Sequence, residues 1–134
     1  MSVEKINPSS LVAPMQNLYA QIAVATPGRL AWISGQPAYL ADGSFCGQGD
    51  LAAQAHQAFT NLKAALEAVG AAPENVVRMT IYVVNYRLEF ARAIFGAARE
   101  VFGADWPVTS SVLLGVQALA MEDWLIEIDA IAAV

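Results

Sequence analysis

Two carboxylates near the end of this chain sit on a pattern that can put them to chemical use. Residues 124–133 read WLIEIDAIAA, so Trp124, Ile126, Ile128 and Ala130 project one way and Leu125, Glu127, Asp129 and Ile131 the other. A helix-covered sheet takes the first set as its core side. The second face then carries Glu127 and Asp129 beside a leucine and an isoleucine, a mixture ill suited to open water. If a partner subunit covers it, desolvation and the neighbouring Asp129 both raise the Glu127 pKa and make it a proton acceptor or donor. The plainer alternative is a pair of solvated strand carboxylates.

Other residue groupings carry weaker signals. Gly47-Gln48-Gly49-Asp50-Leu51-Ala52 fits G-x-G-x-x-A ahead of a helix. However, the preceding strand is short, the chain is too small for a two-half dinucleotide fold, and Asp50 would cap the helix where a pyrophosphate should sit. His56 is the only histidine, too few for a metal cluster, and Cys46 has no CxxC partner. Ser110-Ser111 lacks the G-x-S-x-G elbow of serine hydrolases. Tyr19, Trp32, Trp106 and Trp124 serve either as core or, at strand ends beside Gly35, Pro107 and Glu127, as pocket walls.

Those residues must be held by one domain, since 134 residues build a single hydrophobic core and no linker divides them. The chain is 57% hydrophobic and 14% charged, against a charged share of about 25% in ordinary domains. Too little polar surface is left for a monomer, so oligomerisation is expected. The charge-free runs 6–28 and 106–121 are broken by prolines and polar residues, which argues against a membrane span. A net charge of −5 with seven scattered basic residues argues against nucleic acid. MSVEKINPSS lacks the order of a signal peptide, and the single cysteine forms no internal disulfide, so a cytoplasmic location is expected.

Residues 1–16 show no periodicity and read as a loosely ordered leader. A strand over 19–24 and another over 30–34, joined by Thr26-Pro27-Gly28, predict a hairpin. Asp42-Gly43 marks a further turn before Ser44-Phe45-Cys46. Asp50 caps a helix in which Ala55, Phe59, Leu62, Leu66 and Val69 recur at steps of four and three, closed by Gly70. A strand over 75–84 follows, then a helix over about 88–102 with Phe90, Ile94, Ala97 and Val101 on one stripe. Strands over 111–116 and 124–133 complete the order. This predicts an α+β fold with two helices on one face of a mixed sheet.

Tyr19-x-Gln21, Ile33-Ser34-Gly35-Gln36, Gly49-Asp50 leading into Gln54 and the run 61–70, the strand beginning Asn75-Val76-Val77-Arg78-Met79-Thr80, Phe102-Gly103, and the run 126–132 follow one another in a telling order and spacing. Together they resemble the RidA (YjgF) family of small trimeric enamine/imine deaminases. The resemblance spans roughly residues 17–133. It implies a chorismate-mutase-like subunit, a homotrimer with clefts between subunits, a small-molecule substrate, and hydrolysis without metal or organic cofactor. It also implies that Tyr19, Ser34, Gly35 and Glu127 line the cleft, with Glu127 holding the attacking water.

One departure bears on substrate. The deaminating members carry an arginine within P-x-R-S/T that grips the substrate carboxylate, whereas this chain reads Pro107-Val108-Thr109-Ser110-Ser111, with no Arg or Lys from residue 100 onward. The arginine position is Thr109 counted forward from Pro107 and Ser111 counted back from Leu119. Losing such a partner costs about 2–5 kcal/mol. Arg87 or Arg92 could substitute. The expected activity is therefore hydrolytic deamination with altered specificity, with Glu127 catalytic, Ser34, Gly35, Thr109, Ser110 and Ser111 positioning substrate, and Tyr19 and Trp106 as walls. The alternatives are a non-catalytic trimer that binds a metabolite or protein, and an enzyme that uses Glu127 for proton transfer.

Overall fold

Helix and strand periodicities partition the hydrophobic residues into one layer between helices and sheet. The structure is a computed structural model describing residues 3–26 and 28–134. Helix α1 (Leu51–Ala68) starts where Asp50 accepts a 3.1 Å hydrogen bond from the Ala53 N–H, the capping role its sequence position predicts. Ala55, Phe59, Leu62 and Leu66 form its buried stripe, whereas Val69 lies beyond the helix and is exposed. Gly70, at φ +71°, reverses the chain. Helix α2 (Ala91–Phe102) buries Ile94, Ala97, Ala98 and Phe102 against α1 and the sheet.

The sheet has the order β3-β6-β4-β5, with β3 (Leu30–Gln36), β4 (Val76–Val84), β5 (Ser110–Val116) and β6 (Ile126–Ala133). The β3–β6 and β6–β4 pairs are antiparallel and β4–β5 is parallel, so the sheet is mixed. Cross-strand partners Ile81 and Ile128, Val83 and Ile126, and Met79 and Ala130 face the helices and are buried. Thr80 with Asp129 and Tyr82 with Glu127 face the other way. Among the described residues no helix covers that second face, whose Thr80, Tyr82, Glu127 and Asp129 are half-buried. Trp32, opposite Ile131, is 73% exposed there.

Two expectations are corrected. Residues 3–6 are not a loose leader: β1 (Val3–Ile6) pairs antiparallel with β2 (Ile22–Ala25), and Lys5 Nζ donates to the Val76 carbonyl at 3.0 Å. Four residues are too few to show a period, and their partner lies some way along the chain. The predicted hairpin also does not form, because β2 pairs with β1 and β3 pairs with β6. Its turn signal includes Pro27, which lies outside the described residues. Among the described residues, no helix is long and apolar enough to cross a membrane.

A buried amide fixes the start of β6. Gln54, fully buried on α1, donates from Nε2 to the carbonyls of Gly47 and Asp123, each at 3.0 Å, and its Oε1 accepts from the Leu125 N–H at 2.9 Å. Gly47, at φ +76°, lies so close to Ala53 that a side chain there would collide. The glycine-rich run therefore serves α1 and the loop before β6. Gln54→Leu keeps the volume but strands three backbone groups, so urea unfolding should show a loss of about 3 kcal/mol; a loss within error of zero would remove Gln54 as the clamp.

Candidate active site

The expected site residues fall into two groups on opposite sides of the sheet. The first surrounds Glu127 on the uncovered face. Its carboxylate is half-buried and, among the described residues, makes no hydrogen bond or ion pair. Burial, and secondarily the charge of Asp129, push its pKa above the ordinary carboxylate value. The Tyr82 hydroxyl, itself held protonated by burial and by its 3.1 Å hydrogen bond to Asp129 Oδ2, occupies the neighbouring acid. Glu127 is thus left as the unengaged carboxylate of the pair.

Gly35 explains where that carboxylate lies. A Cβ built on Gly35 would overlap Glu127 Oε2, so the acid is laid across the glycine backbone at a register break between β3 and β6. Only glycine leaves this space. Ser34 is exposed beside it, its carbonyl accepting from Gln36 Nε2 at 3.0 Å.

The second group lines a groove of about 740 Å³ between α2, β5 and residues 15–19. Tyr19, Trp106 and Ser111 border it, together with Tyr86, Phe95, Arg92 and Arg99. Trp106 is anchored by edge-to-face contacts with Phe59, Phe95 and Phe102, and its indole N–H donates to the Leu18 carbonyl at 2.9 Å. The Ala20 N–H in turn donates to the Thr109 carbonyl at 2.9 Å. These two bonds bracket Tyr19 and fix it at the groove. Val112, projecting to the opposite face of β5, also borders the groove, which therefore reaches around the edge of the sheet.

The three hydroxyls near Pro107 separate. Thr109 is fully buried and donates to the Val76 carbonyl at 2.7 Å. In the single chain its hydroxyl is thus engaged by the first residue of β4 and lies away from the groove. Ser110 donates to the Val77 carbonyl at 2.8 Å and turns to the uncovered face beside Arg78. Ser111 alone opens into the groove. Arg87 forms an ion pair with Glu89 at 3.1 Å on the surface and does not line the groove; Arg92 does. Sequence reasoning missed Arg99 and Gly96, although Arg92, Gly96 and Arg99 stand at steps of four and three, the spacing of one helical stripe.

Within one chain the groups cannot meet. From Glu127, across Tyr82 to Leu114 and back to Ser111, two strand spacings and three residues amount to about 14 Å, with the sheet between. Among the described residues no cluster of three or more His, Cys, Asp or Glu side chains is suited to a metal. His56 lies outside both groups, 3.8 Å from Glu100 on the helix surface.

Residues 11–134 match the family described as endoribonuclease L-PSP. A 2-iminobutanoate/2-iminopropanoate deaminase of Dermatophagoides farinae is 34% identical over 85 residues, a stretch covering 63% of this chain and 65% of the mite protein's length. A Rid-family protein of unknown function, YyfB of Yersinia pestis, has the same fold at TM-score 0.87 and 36% identity, over 100% of both chains. The YjgF gene product of E. coli aligns at TM-score 0.65 and 27% identity, over 96% of this chain and 97% of that one.

The raised Glu127 pKa has a stability consequence. A carboxyl whose folded pKa exceeds its unfolded value stabilises below the unfolded pKa, and that contribution is lost as pH rises through the folded pKa. Above its folded pKa the ionised acid therefore opposes folding. Glu127→Gln should raise the melting temperature at pH 7, with the difference shrinking as pH falls toward about 4; a lower melting temperature at pH 7 would show that the carboxylate is held by contacts rather than strained by burial.

Proposed function

The chain belongs to the RidA/YjgF (endoribonuclease L-PSP) family, and on that premise we propose that it hydrolyses a small enamine or imine to a carbonyl compound and ammonia. The observation that carries this reading is the unengaged Glu127 carboxylate, partly desolvated and laid against Gly35. It fits the task of a general base. Water loses a proton to Glu127 as its oxygen bonds to the imine carbon, and the C=N π pair passes to nitrogen, which takes up a proton from solvent. Glu127 then passes its proton to that nitrogen, giving an ammonium leaving group. The C–N bond breaks to release ammonia, and the hydroxyl proton returns to solvent as the carbonyl forms. Atoms balance without an oxidant or reductant.

The complete site needs a second copy of the chain, since the base and the aromatic groove lie on opposite sides of one sheet. A homotrimer supplies it: the uncovered face of one subunit brings Glu127 and Gly35 to the groove edge of another. This assembly also buries Trp32 and Leu30, exposed in the single chain. The surface composition supports the same reading, since 14% charge leaves little polar cover. The ribonuclease in the family's description is the poorer match, because a net charge of −5 opposes the approach of a phosphate backbone.

Four measurements test this reading. With imines generated in place by an amino-acid oxidase, and neutral enamines alongside, the protein should accelerate imine loss. Glu127→Ala should cut that rate by about 10²–10⁴-fold. Gly35→Ala, which displaces the same carboxylate, should lose most of the rate while staying folded. Loss no faster than in buffer for every substrate would leave a binding protein or a proton-transfer enzyme in its place. Light scattering should give three times the subunit mass, and Trp32→Glu should reduce it; a wild-type mass of one subunit would remove the shared cleft.

A further inference from the structure

A second cavity opens where β1 passes the start of β4, and Lys5, Glu74, Asp105 and Trp106 are among its lining. Alternation along β1 turns Val3 and Lys5 toward it and leaves Glu4 exposed. Lysine is an unusual choice for the inner side of a strand. Its amine is half-buried, donates to the Val76 carbonyl at 3.0 Å, and forms no ion pair among the described residues. The same carbonyl accepts from the Thr109 hydroxyl at 2.7 Å, so both of its lone pairs are used and the amine is held at one point. Glu74, in the turn Pro73–Asn75, and Asp105, in the turn Gly103–Asp105, stand at the rim without an ion pair to Lys5. Burial lowers the Lys5 pKa, and the charge of Glu74 offsets this only in part. Lys63, the other lysine of the chain, is exposed on α1 and borders neither this cavity nor the groove.

We infer that Lys5 is a covalent site for small neutral aldehydes, which its amine captures as a protonated imine. The ammonium gives up one proton, and the freed nitrogen pair bonds to the carbonyl carbon while the C=O π pair passes to oxygen. A second proton moves from nitrogen to that oxygen. The first then joins the hydroxyl as it departs as water, and the nitrogen pair closes the C=N bond. Ammonium and aldehyde thus become iminium and water, with no oxidant or reductant. A desolvated lysine is the side chain suited to this step. The rim carboxylates select the electrophile. They repel an anionic aldehyde, whereas a neutral one leaves behind the positive charge they face. The iminium also keeps one N–H, so the bond to the Val76 carbonyl survives capture. Glu127 takes no part, and the site stands whether or not the chain deaminates imines.

Reductive trapping tests the assignment. The native protein would be treated at pH 7 with propanal and, separately, with glyoxylate, each with cyanoborohydride, which fixes an iminium as a stable amine. Peptide mass spectrometry then reads the label at Lys5, at Lys63 and at the chain's α-amino group. Lys5 should take up propanal about tenfold faster than Lys63. The ratio should be smaller for glyoxylate and should fall to near one in guanidinium-unfolded protein. Lys5→Arg should remove the fast phase and leave the Lys63 rate unchanged. A propanal ratio of one or below in the folded protein, a glyoxylate ratio as large as that for propanal, or a ratio that survives unfolding would overturn the assignment. The comparison of folded with unfolded wild-type protein needs no variant, so a poorly folding Lys5→Arg leaves the test decisive.

Discussion

The structure depends on the fixed register of β6. This strand is hydrogen-bonded on both sides, to β3 and to β4, so its side chains have no freedom about which face they join. Ile126, Ile128, Ala130 and Ala132 complete the core, and Glu127 and Asp129 are forced out through the opposite face. A slip of one residue would drive two carboxylates into the hydrocarbon layer and two isoleucines out. The penalty for burying unpaired charge makes that slip prohibitive. The geometry of the candidate base is therefore set by the same term that sets the fold, and Gln54 adds a second lock by holding Leu125 just ahead of the strand.

Much of this was legible in the sequence because it is periodic. Alternation along residues 124–133 gave both faces of β6, and steps of four and three gave the buried stripe of α1. Asp50 announced its cap. The failures were where pairing is non-local or where the informative group is buried. Val3–Ile6 has no period of its own and gains its structure from Ile22–Ala25. Thr109 has the right residue type for a ligand but lies under β4, and no pattern in Pro107-Val108-Thr109-Ser110-Ser111 says which hydroxyl reaches solvent. Arg99 and Gly96 were visible as a stripe, but only the cavity shows that the stripe faces space.

In the proposed trimer, one sheet would serve as half of two sites. Its uncovered face holds the polar Glu127 with exposed apolar neighbours, and its far edge holds the aromatic groove. Neither half is chemically complete. The wall has cations but no unengaged carboxylate among its described lining residues, and the carboxylate has no wall. Separation of this kind gives each half a rigid element for support, with β6 carrying one and α2 with β5 the other, and on the proposed reading only a second subunit would join them.

The position of β6 in the sheet has a consequence for how the sheet holds together. The strand that occupies an interior slot follows the other described strands in sequence, and β3 and β4 on either side of it do not pair with each other. Without β6 the sheet is reduced to the parallel pair β4–β5, and β3 has no partner in it. The four-stranded layer is therefore continuous only through its most distant segment, like an arch through its keystone.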